Sequence, residues 1–270
     1  MSKIEVKDLC VEYLDNNKTF LALKDVSFNV EEGEFVSIIG SSGCGKSTLL
    51  SVLLGLKFPT SGVAAIDGRP ITGTGTDRGV VFQHYSLFPW MTVRSNVAFG
   101  MKQSRKGLSY RQRLEIADRF LEKVNLPGFA HKYPFQLSGG MQQRAAIARA
   151  LAMDTDILLM DEPFGAIDAK NRTIMQELLL SLWEGEGKTK KKTVVFVTHD
   201  IDEAIFLSDK IVMLSNGPGQ VIREITVPIV RPRDRLAIFR TDTYSKLRNE
   251  LMALFYLDIA EKIGGDEVVI

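Results

Sequence analysis

Cysteine is scarce in this chain, and long apolar runs and any excess of charge are missing. There are two cysteines among 270 residues, Cys10 and Cys44. They lie far apart and form no CxxC pair, so a reduced, cytoplasmic compartment is the economical reading. Lysine plus arginine total 34 against 33 acidic residues, a formal net charge of +1. Nothing in that balance points to nucleic acid or to an anionic membrane surface. No stretch approaches the roughly 18 consecutive apolar residues that a membrane-spanning helix needs. The opening residues, Met1 to Cys10, have no apolar segment of the kind that marks a secretory signal. If the protein serves a membrane, it is expected to do so from the side, through a partner. Internal repeats and low-complexity tracts are also missing, apart from the Lys188–Lys192 run, which reads as a solvated loop.

What is present suits one α/β domain with an appendage, or at most two small domains: 45% of residues are hydrophobic and 25% charged. Ile4, Val6, Leu9 and Val11, then Val26, Phe28 and Val30, alternate like strands with one buried face, with a polar turn at Asp15–Lys18 between them. Beyond Gly33 the pattern changes to short continuous apolar runs, Phe35–Ile39, Gly79–Phe82, Ile157–Met160 and Val194–Val197, which suit strands buried on both faces. Helical patterns lie at Lys46–Leu54 (ending at Gly55), Tyr110–Val124, Gly140–Met153 and Arg172–Trp183. Such alternation predicts a largely parallel sheet. Alternation returns at Val221, Ile225 and Val227 after a Gly-Pro-Gly turn, and a last helix is expected from about Thr243 to Lys262.

Three motifs carry chemistry. Gly40-Ser41-Ser42-Gly43-Cys44-Gly45-Lys46-Ser47-Thr48 matches the phosphate-loop pattern in full, after one predicted strand and before a predicted helix. Glycines let main-chain N–H groups close around phosphate oxygens, and the helix start adds partial positive charge. Lys46 is expected to reach the β and γ phosphates of ATP, and the Ser47 hydroxyl to ligate Mg²⁺. Cys44, at a helix start beside Lys46, is in a setting expected to favour the thiolate, so a maleimide should inhibit. The apolar run 157–160 stops on two acids, Asp161 and Glu162, one suited to Mg²⁺ and the other to polarising an attacking water. Side chains alternate on a strand, so the two should point apart. In Leu137-Ser138-Gly139-Gly140-Met141, Ser138 should cap a second helix whose first turn offers N–H groups to an anion, with Met141, Ala145, Ala148 and Leu151 as its buried face.

With that third motif in view, the chain resembles an ABC transporter ATPase subunit over roughly residues 1 to 230. The resemblance implies a P-loop NTPase core sheet with an antiparallel β subdomain and an inserted α-helical subdomain at about 84–136. It also implies a short helical extension over 231–270. A separate regulatory β-barrel of the kind some sugar-importer relatives carry is not expected in the short tail after Val227. By the same resemblance Gln83 matches the glutamine that links nucleotide and Mg²⁺ to a membrane partner, and His199 the switch histidine that contacts the γ-phosphate. Asp168 matches an aspartate that communicates across a dimer, and Tyr13 an aromatic that stacks on adenine, with Phe20 as its competitor. Ser138, Gly139 and Gly140 would close on ATP held by the other subunit. Glu162 would act as base, with Asp161, Ser47 and Gln83 holding Mg²⁺.

The stretches Asp77–Gln83, Leu87–Trp90 and Thr198–Ala204 resemble the nitrate/sulfonate/taurine branch of importers, which carries small anions such as nitrate, bicarbonate and alkanesulfonates, and also some pyrimidine precursors. The partners implied are a second ATPase subunit, transmembrane permease subunits and, indirectly, a solute-binding protein. The place implied is the cytoplasmic face of the membrane. Tyr85, Leu87, Phe88, Pro89 and Trp90 crowd apolar bulk into one short loop, which predicts a permease contact or simple packing under the helical subdomain. The alternatives are a soluble ABC ATPase without a transport partner and a P-loop kinase or GTPase. No fused second cassette or coiled-coil insertion favours the first, and Gln83, Asp168 and His199 argue against the second.

Overall fold

The computed structural model describes residues 2–15, 18–165, 167–184 and 191–265. Residues 188–190 of the lysine run, 16–17 of the expected polar turn and Ala166 lie outside the described residues. The first elements are β1 (Ser2–Asp15), β2 (Lys18–Glu31), β3 (Phe35–Ile39), α1 (Lys46–Leu54), β4 (Ser61–Ile66) and β5 (Arg69–Pro70). Next come β6 (Arg78–Val81), α2 (Val93–Ser104), α3 (Tyr110–Lys123), α4 (Gly139–Ala152), β7 (Ile157–Asp161) and α5 (Ala169–Glu184). The chain continues through β8 (Thr193–Val197), α6 (Ile201–Leu207), β9 (Lys210–Leu214), β10 (Val221–Thr226), α7 (Arg235–Ile238) and α8 (Asp242–Gly265). These fall into two compact units, Met1–Thr74 with Val195–Ile270, and Gly75–Val194.

In the first unit, β2, β1, β4 and β5 form a four-stranded antiparallel sheet in that order. The expected inward residues of β1 and β2 are all buried, although Val6 and Leu9 are an odd number of positions apart. A register shift between them, with Asp8 at φ 47°, supplies the extra residue that keeps both side chains inward. All five residues of β3 are buried, as a continuous apolar run predicts. β3 pairs in parallel with β9, and β9 pairs antiparallel with β10, so this part of the fold is a mixed sheet. β9 was hidden in the sequence because its run follows α6 after only two residues, and α6 is itself too short to show a helical period.

In the second unit β6 and β7 pair in parallel. Helices α2, α3 and α4 share one apolar core built on Val97, Met101, Leu121, Val124, Ala145 and Ala148. Here the expectation of a one-sided α4 fails. Met141 is only half buried, while Ala146, Ile147, Ala150 and Ala152 are buried as well as the predicted Ala145, Ala148 and Leu151. The alanines leave little bulk where they face neighbours, so those neighbours approach the helix closely. A methyl group at Gly79 on β6 would lie 3.2 Å from the Ala150 carbonyl oxygen, and one at Gly100 on α2 would lie 2.9 Å from Arg149 Cγ. The helix is packed almost all round, which its polar residues concealed.

Candidate functional site

The first unit holds the phosphate loop. It runs from the end of β3 into α1, and its shape depends on Gly45, which has φ 97° and whose missing side chain leaves room for Leu23 Cδ2, 2.6 Å from where a methyl would stand. The loop is closed by the Cys44 N–H donating to the Ser41 carbonyl at 3.3 Å. Lys46 is buried, and its ammonium donates to the carbonyl oxygens of Gly40 and Ser41, both at 2.9 Å. A lysine head group set among main-chain carbonyls inside a glycine-rich loop suits an anionic guest. Among the described residues, Ser41 Oγ is buried with no hydrogen-bond partner, and a methyl at Gly43 would meet nothing within 4 Å. The orphaned hydroxyl and the open cradle fit a guest rich in acceptor oxygens. Ser42, Gly43 and Ser47 are exposed, and Thr48 is half buried.

Tyr13 and Phe20 are cross-strand partners in β1 and β2. The Tyr13 hydroxyl shares a hydrogen bond with the Thr48 hydroxyl at 3.3 Å, and Lys57 Nζ lies 4.2 Å from the centre of its ring. Those ties join Tyr13 to the phosphate-loop helix, and Phe20 is the more exposed of the two. His199 lies between β8 and α6, exposed, just before Asp200, which caps α6 by accepting the Glu203 N–H at 3.0 Å.

Cys44 departs from expectation. It is fully buried, and burial pushes its thiol pKa up despite the opposing pull of Lys46 3.8 Å away. Desolvation of the thiolate outweighs the helix start and the neighbouring cation. Nothing in the local sequence announced that burial, because Gly40 and Leu214 build it from opposite ends of the unit: a methyl at Gly40 would lie 2.6 Å from Cys44 Sγ and 2.8 Å from the Leu214 carbonyl oxygen.

The second unit holds the remaining motif residues. Asp161 ends β7, but Glu162 does not continue the strand. Its φ is +40°, a strained conformation for a residue with a side chain, so the backbone kinks directly after Asp161 and strand alternation does not extend to this pair. Gln83 follows β6. A methyl at Gly165 would lie 3.7 Å from Glu162 Oε2 and 3.9 Å from Gln83 Nε2, so these two side chains converge beside Gly165. Asp168 caps α5: its carboxylate accepts the Asn171 N–H at 3.1 Å and Asn171 Nδ2 at 2.6 Å, and those bonds hold its pKa below the usual carboxylate range. Ser138 caps α4 by accepting the Met141 N–H at 3.4 Å, with Gly139 and Gly140 in the first turn.

Sequence reasoning missed Arg149. Its buried guanidinium donates to the carbonyl oxygens of Ser86 at 2.6 Å and Tyr85 at 3.2 Å, in the loop that follows Gln83. Tyr85 and Ser86 both have positive φ, at 54° and 48°. A methyl at Gly139 would lie 3.4 Å from the Tyr85 hydroxyl, so this loop meets α4 at its start as well as further along. The signal was a lone arginine inside the alanine-rich stretch 145–152, where a charge needs a partner. The apolar loop splits by residue. Leu87 packs on the helical core, and Phe88 is half buried against Phe99 and Trp90 with ring centres 4.9 and 5.4 Å apart. Trp90 is 70% exposed and borders a groove of about 480 Å³ shared with Phe99, Lys102, Tyr110, Arg113 and Tyr133.

A family model described as ABC transporter matches residues 23–165, which contain the phosphate loop, the capped α4 and the β7 acids. The chain belongs to the ABC transporter family. It is 47% identical over 249 residues to an uncharacterized ABC transporter ATP-binding protein of Methanocaldococcus jannaschii, covering 92% of this chain and 91% of that one. It is 48% identical over 238 residues to the nitrate import ATP-binding protein NrtD of Synechococcus elongatus, covering 88% and 85% respectively. Among solved structures it is similar to the dimeric post-hydrolysis state of an ATP-binding cassette bound to ADP and Pi. That match has a TM-score of 0.74 and 36% identity, and covers 84% of this chain and all of the other. This ABC subunit binds and hydrolyses ATP. No helix among the described residues is long and apolar enough to cross a membrane.

Proposed function

We propose that this ATPase works as a homodimer at the cytoplasmic face of a membrane, where it powers uptake of a small anion such as nitrate, a sulfonate, taurine or bicarbonate through separate permease subunits fed by a solute-binding protein. The observation that carries the reading is the presence of two anion-receptive helix starts in one chain: the phosphate loop with its buried Lys46, and the Ser138-capped start of α4. If ATP lies between the loop of one copy and the α4 start of the other, it binds the closed dimer far better than the open one. That difference in affinity is what a two-state engine requires. Similarity to the nitrate import subunit supports the anion, and the dimeric cassette bound to ADP and Pi supports the pairing.

The roles follow from chemistry. Gly40–Thr48 receive the phosphates, Lys46 neutralises them, and Tyr13 stacks on adenine. Ser138, Gly139 and Gly140 close on the partner copy's γ-phosphate. Ser47, Gln83 and Asp161 offer hydroxyl, amide and carboxylate oxygens, a donor set that fits a hard cation, and these would hold Mg²⁺. Mg²⁺ would supply charge neutralisation of the phosphate oxygens. Glu162 holds the attacking water and takes its proton, His199 steadies the γ-phosphate, and Asp168 reports across the dimer. The ATP-binding domain spans residues 1–230 with its helical subdomain at about 84–136, and 231–270 form an extension.

The test is Glu162→Gln. The purified variant should bind ATP, collect as a nucleotide-loaded dimer, and hydrolyse about 10²–10⁴-fold more slowly, the usual loss when a general base is removed. Near-normal turnover would overturn the assignment of Glu162. Failure of wild type and variant alike to dimerise with ATP would overturn the two-copy site.

A further inference from the structure

Helix α8 plays no part in the functional reading above, yet it is tied at two separate points to segments that neighbour nucleotide-motif residues. Near its start, the Tyr244 hydroxyl donates to Asp202 Oδ1 at 2.6 Å and Arg248 Nε donates to the same oxygen at 2.7 Å. Asp202 sits in the first turn of α6, the helix that begins just after His199. Leu247 and Leu251 on α8 are buried. Further along, Asp258 accepts the Asn216 N–H with both carboxylate oxygens, at 2.9 and 3.1 Å.

Asn216 opens the turn between β9 and β10, and that turn is stiff. The Ser215 N–H donates to the Gln220 carbonyl at 2.8 Å, the Gln220 N–H to Ser215 Oγ at 2.9 Å, and Ser215 Oγ to the Pro218 carbonyl at 3.0 Å. On its other side the turn is fastened to β2, with the Gly219 N–H donating to Ala22 at 2.9 Å and the Lys24 N–H donating to Gly219 at 3.0 Å. It also lies directly behind the phosphate loop. A methyl at Gly219 would stand 2.1 Å from the Cys44 carbonyl oxygen and 3.0 Å from Leu23 Cδ2, the same atom that fills the space beside Gly45. Asp258, the turn, and the main chain at Cys44 and Gly45 therefore form one continuous packed path. Close-packed groups of this kind pass displacement on rather than absorb it.

We infer that α8 is a brace for the phosphate loop, and that Asp258 is a positioning residue for nucleotide binding, acting through the 215–219 turn. The inference rests on the assignment of Gly40–Thr48 as the nucleotide loop. Several N–H groups of that loop must point at one anion together, so loosening the turn behind it weakens binding by making the guest order the loop first. The brace belongs to binding and not to the chemical step, so it acts on KM and leaves kcat nearly alone. Coupling is reciprocal, so bound nucleotide must in turn hold α8 down more firmly.

The experiment uses the full chain, as wild type, Asp258→Ala, Asp258→Glu and Lys46→Ala, with ATPase kinetics and amide hydrogen exchange measured with and without ATP. Asp258→Ala should raise the KM for ATP roughly three- to tenfold with kcat within about twofold. Exchange should speed up at 216–219 and at 41–46. ATP should slow exchange along α8 in the wild type and not in Asp258→Ala. Asp258→Glu, which keeps the carboxylate, should recover most of the affinity. The Asp202 ties to Tyr244 and Arg248 remain in every variant, so α8 keeps its second anchor. An unchanged KM in Asp258→Ala, or a melting temperature that falls while KM stays put, would show the contact to be structural only and overturn the inference. Wild-type ATP affinity in Lys46→Ala would instead overturn the loop assignment beneath it.

Discussion

Cys44 and Glu162 show how a single residue's behaviour is set by what surrounds it. A thiol at a helix start beside lysine invites the expectation of high reactivity, but burial wins here and the thiol stays protonated. In the folded protein a maleimide should therefore modify the half-exposed Cys10 first and reach Cys44 only on unfolding. Peptide mass spectrometry of partly labelled protein checks this, and equal labelling of both cysteines would contradict it. Asp168 gives a prediction in pH. Its folded pKa lies below the ordinary 3.8, so its cap on α5 contributes in full above that value and is lost as pH falls below it. Asp168→Asn should remove that acid-side loss of α5 protection, read by hydrogen exchange between pH 5 and 3. The motif residues were legible because chemistry fixes their types: a phosphate needs glycine N–H groups and a lysine, and a water needs a carboxylate. The burial of Cys44 was not legible, because Leu214, which packs against the neighbouring Gly40, lies far away in sequence.

Among the elements, α4 does the most with the least bulk. Its alanines admit β6 and α2 at backbone distance, and its one buried guanidinium fastens the strained Tyr85–Ser86 turn. Arg149→Ala would leave two carbonyls without that donor, a loss of about 1–3 kcal/mol for unsatisfied buried groups. Chemical denaturation should show that drop, and ATPase activity should fall because Gln83 precedes the released loop. Arg149→Lys should restore little, because one ammonium does not reproduce a planar fork reaching two carbonyls. A denaturation midpoint equal to wild type in Arg149→Ala would show the clamp to be idle. The ends of α1 at Gly55 and of α4 at Ser138 were readable from their caps, and the strands buried on both faces from their continuous apolar runs. Helices α2 and α6 and strands β4 and β9 were not. α6 is too short to show its period, and only Ser208 and Asp209 separate it from the KIVML run of β9, so the two merge into one apolar stretch.

For the whole molecule, the question is how it meets a membrane partner. Trp90 is 70% exposed and lies beside a groove shared with the exposed Phe99 and Tyr110, whose rim carries Lys102 and Arg113. Trp90→Ala should leave folding and ATP binding intact while co-purification with the permease and transport fail, since truncating an aromatic anchor commonly costs about 2 kcal/mol or more. Phe88, wedged between Phe99 and Trp90, should behave differently, and Phe88→Ala should lower the melting temperature. If Trp90→Ala assembles and transports normally, the docking proposal is wrong at that residue.

The parallel pairing of β3 with β9 also has a consequence for how the protein is made. The strands β1, β2, β4 and β5 all lie within the first 70 residues, so their sheet can form while the rest is still being synthesised. β3 pairs with a strand that begins only at Lys210. At roughly 5–20 residues per second, that partner leaves the ribosome about 9–35 s later. Through that interval the mostly apolar Phe35–Ile39 segment waits without its β9 neighbour, a nascent-chain state prone to sticking to other chains. A ribosome stalled before residue 210 should accordingly hold a chain that recruits chaperones through that strand, and one stalled well after 226 should not.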